Sequence, residues 1–188
     1  LDSTNKKSFR RRPFNIENIN CVSIGRVDED KGFHNIFAIA DQVPENVNIH
    51  VVGAYDGRFG DIKSFDRIVY HGQLSKFDLF HFMANCDYLL NASVVFETFG
   101  ITNIEALRLG MPIIGQKVGT REEFISHTEN GFLYSSGGLL NAIRYISTYS
   151  DYKRLSENAY NSFKKYETSN WRRNQVKIYQ DILFDRQN

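Results

Sequence analysis

The sequence predicts an α/β domain built on a doubly wound parallel sheet. Short apolar runs of four to seven residues alternate along the chain with segments whose apolar residues follow helical spacing. Several of the short runs end at a glycine. Because parallel strands need a crossover between them, this alternation is typical of a parallel sheet that is covered by helices on both faces.

The short runs predict six strands. They combine apolar residues with flanking Gly, Pro or Asn, which commonly bound strands. The predicted strands lie within 18–25 (NINCVSIG), 47–53 (VNIHVVG), 67–72 (RIVYHG), 87–93 (DYLLNAS), 112–116 (PIIGQ) and 131–134 (GFLY).

Apolar residues three and four apart predict the helices. The predicted helices lie within 31–43, 76–86, 101–110, 139–147, 151–166 and 171–184. The second helix is expected to be amphipathic, with Phe77, Phe80 and Ala84 on its apolar face. Apolar residues surround the third helix almost completely, including Ile101, so this helix is expected to be buried.

The composition argues against several classes of protein. The formal net charge of +1 argues against a general nucleic-acid or membrane-surface role. Cys21 and Cys86 lie in separate apolar runs, which favours buried, reduced thiols over a disulfide. No apolar run is long enough to span a bilayer. We therefore expect a cytoplasmic protein, in which 1–17 are a polar leader to a single domain at 18–188.

The loop 25–32 (GRVDEDKG) follows the first predicted strand. Sheets of this kind bind ligands beyond the carboxyl ends of their strands. Gly25 allows a tight turn, and Arg26 and Lys31 bring two cations to the start of a predicted helix. Together they could clamp a diphosphate. The alternative has equal weight: both cations are solvated, or they are paired with the acids at 28–30. For those acids themselves, we expect exposure to solvent.

The loop after the third predicted strand holds Gln73, Leu74 and Ser75. A base edge could hydrogen-bond to its main chain. The equally good alternative is a plain connection in which Ser75 caps the next helix.

Two acids stand out in the otherwise apolar segment 91–112 (NASVVFETFGITNIEALRLGMP). Glu97 lies in a turn before Gly100, where a ligand can approach the main chain closely. Glu105 lies about one turn into the predicted helix. An unpaired buried carboxylate costs several kcal/mol, by order of magnitude, so Glu105 needs a partner. That partner is either Arg108, three residues on, or a hydroxyl pair of a ligand such as a ribose.

Four motifs in this sequence resemble one family. Residues 96–114 (FETFGITNIEALRLGMPII) resemble the E-x7-E segment of retaining glycosyltransferases with the GT-B fold, the group 1 family. The loop 25–32 resembles the family's G-R-x4-K-G loop. Residues 69–93 resemble its strand–helix–strand unit, and 119–134 (GTREEFISHTENGFLY) resemble its G-G-x-P-E segment. The four occur in order and at the family's spacing.

The resemblance implies the Rossmann-like C-terminal domain of a two-domain enzyme. Such a domain binds the nucleoside-diphosphate sugar, here expected to be a UDP- or GDP-sugar used as substrate, without a cofactor or an obligatory metal. The partner regions would be an N-terminal acceptor-binding domain absent from this chain, and a closing helix at 170–185 that packs towards it. The reaction would transfer a sugar, with retention of configuration, to a glycan or a lipid-linked acceptor. Membrane association would occur only through the missing part.

The resemblance also implies roles for individual residues. Arg26 and Lys31 would neutralise the donor diphosphate, Glu97 would bind the transferred sugar, and Glu105 would hold the ribose; the first three would be catalytic. The remaining donor-binding residues would be Gly25, Gln73, Leu74, Ser75, Phe99, Gly100 and Ile101.

Two departures from the family pattern stand out. Arg108 occupies a position where a small or apolar residue is usual, and Glu122 one where proline is common. The alternatives are a nucleotide-sugar-binding module without catalysis, a GT-B sugar-nucleotide epimerase, and an unrelated doubly wound domain. The intact acids and cations favour the transferase.

Overall fold

The computed structural model describes residues 12–62, 65–96 and 100–167. These residues form a six-stranded sheet in the order β3-β2-β1-β4-β5-β6, in which every neighbouring pair is parallel. The strands are β1 (Ile19–Ile24), β2 (Val47–Val52), β3 (Ile68–Tyr70), β4 (Tyr88–Asn91), β5 (Ile113–Gln116) and β6 (Gly131–Tyr134). All six lie within the predicted segments, so the predicted fold class is confirmed.

The helices follow the predicted order with one addition. They are α1 (Phe33–Ala38), α2 (Lys76–Met83), α3 (Ile101–Arg108), α4 (Arg121–Phe124), α5 (Leu139–Ser147) and α6 (Tyr152–Phe163). Short 3₁₀ turns follow at Ala40–Gln42 and Lys164–Tyr166. The four-residue α4 was not predicted, because one turn is too short to show a helical period. The predicted helix at 171–184 and the closing helix at 170–185 lie outside the described residues.

Both faces of the sheet are buried. Successive strand residues belong alternately to two apolar clusters, as Leu89 and Leu90 of β4 show. One cluster packs under α1, α5 and the start of α6, and the other under α2, α3, α4 and the end of α6. Burial on both faces explains why the strands read as continuous apolar runs rather than as alternating patterns.

The predicted apolar face of α2 is wrong at Phe77, whereas Ala84, another residue of that face, is buried as expected. Phe77 is 68% exposed, whereas Met83 is fully buried and Leu79 and Phe82 pack against the same cluster. Residues 79, 82 and 83 fit a helical period as well as the predicted set does, so the period alone could not choose between the two faces. The burial predicted for α3 holds for Ile104 and Leu107, but its first residue, Ile101, is 61% exposed.

The expectation for the cysteines is confirmed. Cys21 and Cys86 are both buried thiols, and neither forms a disulfide. Burial, together with the nearby Asp87 and Cys86, raises the pKa of the Cys21 thiol. Within the described part of the chain, no helix is long and apolar enough to cross a membrane.

The strand order creates a crevice between β1 and β4. The chain moves outward from β1 to β3, returns to β4 beside β1, and then moves outward in the other direction to β6. The loops after β1 and β4 therefore leave the sheet edge on opposite sides of this point, which is where open α/β sheets bind ligands. The loop 25–32 and the segment after Asn91, both expected to belong to a site, flank this crevice.

Candidate functional site

The loop between β1 and α1 is organised by Asp28. This carboxylate is buried, accepts a 2.9 Å hydrogen bond from the main-chain N–H of Lys31, and pairs with Nε of Arg26. Burial by itself would raise the pKa of Asp28, but the bonds from Lys31 and Arg26 outweigh it, so the net shift is downward. The expectation that the loop acids are solvated is wrong for Asp28, which instead fixes the shape of the loop.

The two predicted cations lie together at the end of β1. The side chain of Arg26 is 70% exposed and pairs with Asp28 through Nε. A guanidinium carries five N–H donors, so this pairing does not use all of them. The aliphatic part of Lys31 passes over Gly25, since a Cβ added there would lie 3.5 Å from Cγ of Lys31. Arg26 is therefore paired with Asp28, as one alternative predicted. It is also exposed at the crevice, as the binding of a diphosphate requires.

The α1 helix is a weak source of positive charge. It has six residues, and it begins after Gly32, whose φ of 73° lies in the left-handed region. The effect of a helix on anions comes from its free N–H groups and its aligned dipoles, and a helix of six residues aligns few dipoles. We conclude that the side chains of Arg26 and Lys31 dominate the electrostatics of this loop.

A main-chain carbonyl ties the loops on the two sides of the crevice together. The carbonyl oxygen of Asp30 accepts two hydrogen bonds of 3.0 Å, one from Oγ of Ser93 and one from the main-chain N–H of Val94. Gly32 lies so close that an added Cβ would be 1.9 Å from the carbonyl oxygen of Ala92. The β1–α1 loop and the start of the β4–α3 segment thus have a fixed relative position. This brace was not predicted from the sequence.

The α3 helix begins after Gly100, its N-cap, whose φ is 55°. An added Cβ would lie 2.6 Å from Nδ2 of Asn103, and the side chain of Asn103 accepts a 2.9 Å hydrogen bond from Asn91 at the end of β4. The first N–H groups of an α-helix have no partner within it, so those of Ile101 and Thr102 can meet a ligand, whereas the N–H of Asn103 already donates to the carbonyl oxygen of Gly100 at 2.8 Å. Glu97 and Phe99 lie outside the described residues.

Glu105 is a buried carboxylate that makes no hydrogen bond or ion pair with any described residue. It is 9% exposed. Burial raises its pKa, while the charges of Lys76 and Arg108 oppose that rise. Arg108, one of the two partners considered from the sequence, therefore influences Glu105 electrostatically without forming an ion pair with it. A hydroxyl-bearing ligand remains the other partner considered.

The loop after β3 lies beside this acid. Ser75 caps α2, because its Oγ accepts a 3.2 Å hydrogen bond from the N–H of Asp78 and donates to the carboxylate of Asp78 at 2.7 Å. This is the capping role considered as an alternative. Gln73 is exposed and Leu74 is half-buried. Lys76, the first residue of α2, opposes the upward pKa shift of Glu105, so the start of α2 lies near this acid; Lys76 was not predicted from the sequence.

The loop after β2 brings another cation, also missed, towards the crevice. A Cβ added to Gly53 would lie 1.8 Å from the carbonyl oxygen of Gly25, so the loops after β1 and β2 are in contact. Arg58 of the second loop binds Asp56 and contributes to the downward pKa shift of Asp28. A strand-end glycine followed by an arginine was the signal available in the sequence.

Sequence comparisons relate this chain to known proteins. The sequence profile of the family described as glycosyl transferases group 1 matches residues 5–162. A 41.2 kDa protein from the cps region of Klebsiella pneumoniae, itself described as uncharacterized, is 32% identical over 120 residues, which are 62% of this chain and 33% of that protein.

Solved structures show the same fold. HepE from Anabaena in complex with UDP-glucose has 26% identity and a TM-score of 0.67, over 79% of this chain and 44% of that one. The lipopolysaccharide outer core galactosyltransferase WaaB, in its apo form, has 17% identity and a TM-score of 0.74, over 94% of this chain and 52% of that one. The fold is that of the C-terminal domain of GT-B glycosyltransferases.

The matches cover different shares of this chain and of its relatives. The chain spans one third of the length of the Klebsiella relative and about half of the two solved structures. The family profile, in contrast, covers most of this chain, from the residues before β1 to the end of α6. The chain therefore belongs to the glycosyl transferases group 1 family.

Proposed function

We propose that this chain holds the nucleoside-diphosphate sugar donor of a retaining glycosyltransferase. The observation that carries the proposal lies at the β1–β4 crevice. Two cations on one side face a helix on the other side whose buried acid has no partner among the described residues. Such a pair of features matches the two ends of a nucleoside diphosphate, which are an anionic diphosphate and a ribose with two hydroxyls. HepE, solved with UDP-glucose, favours a UDP-sugar over a GDP-sugar.

The diphosphate is proposed to lie against Arg26 and Lys31. Both side chains are at the end of β1, and the pairing of Arg26 with Asp28 orients its guanidinium while leaving most of the side chain exposed. Negative charge grows on the diphosphate as the glycosidic bond to the sugar breaks. Fixed cations that meet this charge stabilise the transition state more than the ground state. Their charge takes the place that a metal ion has in other enzymes, so no obligatory metal is proposed.

The ribose is proposed to lie at Glu105. Two ribose hydroxyls donating to its carboxylate would supply the partners that this side chain lacks among the described residues. The base would then lie near the main chain of Gln73 to Ser75, beside the start of α2. Lys76 is close enough to affect the charge of Glu105.

The sugar is proposed to lie between the start of α3 and Glu97. The N–H groups of Phe99, Gly100 and Ile101 would bind the sugar or the nearby phosphate, and Glu97 would bind sugar hydroxyls. Transfer with retention would proceed through an oxocarbenium-like state, in which the protein contributes positioning and electrostatic stabilisation. The acceptor, a glycan or a lipid-linked acceptor, would come from outside this chain, so the isolated chain is expected to bind donor but to turn over little.

Calorimetric and thermal-shift titrations test this proposal. We expect UDP and UDP-glucose, or failing these GDP and GDP-mannose, to raise the melting temperature and to bind measurably. The variant Lys31→Met should weaken nucleotide binding about tenfold, since it removes one charge-assisted hydrogen bond. The matched control Lys153→Met alters an exposed lysine of α6 and should bind as the wild type does. If no nucleoside diphosphate or nucleotide sugar bound the wild-type chain, the proposal would be wrong.

A further inference from the structure

The described residues include a buried arginine, Arg121, that the proposed function does not use. It lies in α4 and is 1% exposed. Its Nη1 donates to the carbonyl oxygens of Gln116 at 3.2 Å and Val118 at 3.4 Å, both after β5 or at its end. Its Nη2 reaches the carbonyl oxygen of Val95 at 3.5 Å, in the segment after β4. One side chain thus contacts the main chain of two separate loops.

The burial of this charge requires a reason, because an arginine removed from water loses favourable solvation. Main-chain carbonyls offset part of that loss. Burial raises the pKa of Tyr134, at the end of β6, and the charge of Arg121 opposes that rise. Arg121 therefore holds its charge at the carboxyl ends of β5 and β6, at the same sheet edge as the β1–β4 crevice.

The sheet leaves room for this side chain. Gly115 is in β5, and an added Cβ would lie 3.3 Å from Cδ of Arg121 and 2.7 Å from Cδ1 of Ile125. A larger residue at this position would displace the arginine stem. The stem of Arg121 therefore packs in a space that the absence of a side chain at Gly115 leaves open, and it does not lie on an open surface.

The segment after β4 is held from two directions. On the β1 side, Ser93 and Val94 donate to the carbonyl oxygen of Asp30. On the β5 side, Arg121 contacts Val95, the second residue before Glu97. We propose that Arg121 is a positioning residue for the sugar end of the donor site, acting through the main chain of Val95 to place the segment after β4. This inference rests on the proposed donor-binding function.

The test compares UDP with UDP-glucose, by calorimetry on the whole chain, for the wild type and for Arg121→Met and Arg121→Lys. We expect UDP affinity to stay within about twofold, because the diphosphate and ribose residues are untouched. The affinity for UDP-glucose should fall about tenfold in Arg121→Met, which corresponds to one lost hydrogen-bonded contact. Arg121→Lys, which keeps the charge but not the fork of donors, should recover part of that loss.

Two further variants separate positioning from folding. Gly115→Ala keeps Arg121 but crowds its stem, so it should reproduce the selective loss of UDP-glucose binding even if Arg121→Met does not fold. Arg144→Met, at an exposed arginine of α5, is the matched control and should change neither affinity.

The outcomes distinguish this inference from the function on which it rests. Equal losses for UDP and UDP-glucose in the variants would show a purely structural arginine and overturn it. The inference would also be overturned if folded variants kept both affinities, or if the wild type bound the two ligands equally. Either result would leave the proposed function standing. Failure of the wild type to bind either ligand would remove both.

Discussion

The substitution Glu105→Gln is expected to make the empty domain more stable and the nucleotide complex weaker. Burial raises the pKa of Glu105, and none of the described residues pairs with it. An acid whose pKa is higher in the folded than in the unfolded chain costs stability when it is ionised, which is at any pH above the folded pKa. That cost disappears as the pH falls below the ordinary value of about 4.3.

The magnitude follows from burial without a direct partner. A fully buried, unpaired carboxylate would cost several kcal/mol, and the charges of Lys76 and Arg108 reduce this cost. We therefore expect Glu105→Gln to gain about 1 kcal/mol near pH 7.5, or roughly 3 °C in melting temperature for a chain of this size. An amide accepts fewer and weaker hydrogen bonds than a carboxylate, so UDP affinity should fall about tenfold.

Thermal unfolding and UDP titration of the same samples measure both effects. The stability gain should shrink between pH 7.5 and pH 4, because wild-type Glu105 becomes protonated over that range. Glu157→Gln, at an exposed glutamate of α6, is the control and should change neither quantity. A Glu105→Gln variant that melts lower than the wild type and binds UDP unchanged would refute the reasoning, because Glu105 would then have a protein partner.

Two further predictions concern the frame around the site. Gly32→Ala should lower the free energy of unfolding by at least about 3 kcal/mol and weaken UDP binding, because the backbone is left-handed and the new Cβ would lie 1.9 Å from the carbonyl oxygen of Ala92. Urea unfolding measures this loss, with the exposed Gly57→Ala as the control. A loss below about 1 kcal/mol would contradict the contact. Burial, with smaller effects of His71 and Arg12, lowers the pKa of His50 to about 4, so stability should fall by on the order of 2 kcal/mol as the pH drops from about 6.5 to 4, and His50→Gln should flatten that dependence in melting curves.

The sequence predicted the sheet well for a physical reason. A strand buried on both faces must be apolar throughout, so runs such as 112–116 stand out from the helices and loops around them. The helical faces were harder, because residues 77, 80 and 84 fit a 3.6-residue period as well as residues 79, 82 and 83 do. Only the orientation of α2 on the sheet decides between them, and a periodic pattern does not contain that orientation.

The candidate site could be predicted where side-chain chemistry carries it. Arg26, Lys31 and Glu105 were identified because charged groups in strand-end loops or in an apolar helix need an explanation. The brace between the loops depends on the carbonyl of Asp30, and main-chain groups leave no mark in the amino-acid alphabet. Arg121 was seen only as part of a motif, since its burial depends on a one-turn helix and on the space left by Gly115.

The way these groups are held implies a division within the proposed donor site. The loops proposed to bind the diphosphate and the sugar share the Asp30 carbonyl, so a change in the brace moves both loops together. Glu105 lies instead within α3, whose start is fixed by Gly100 and Asn103 rather than by that carbonyl. Changes at Ser93 or Gly32 should therefore affect the binding of diphosphate and sugar in parallel, whereas changes at Glu105 should affect ribose recognition alone. A donor site arranged in this way can keep its reacting end rigid while its nucleoside end is altered independently.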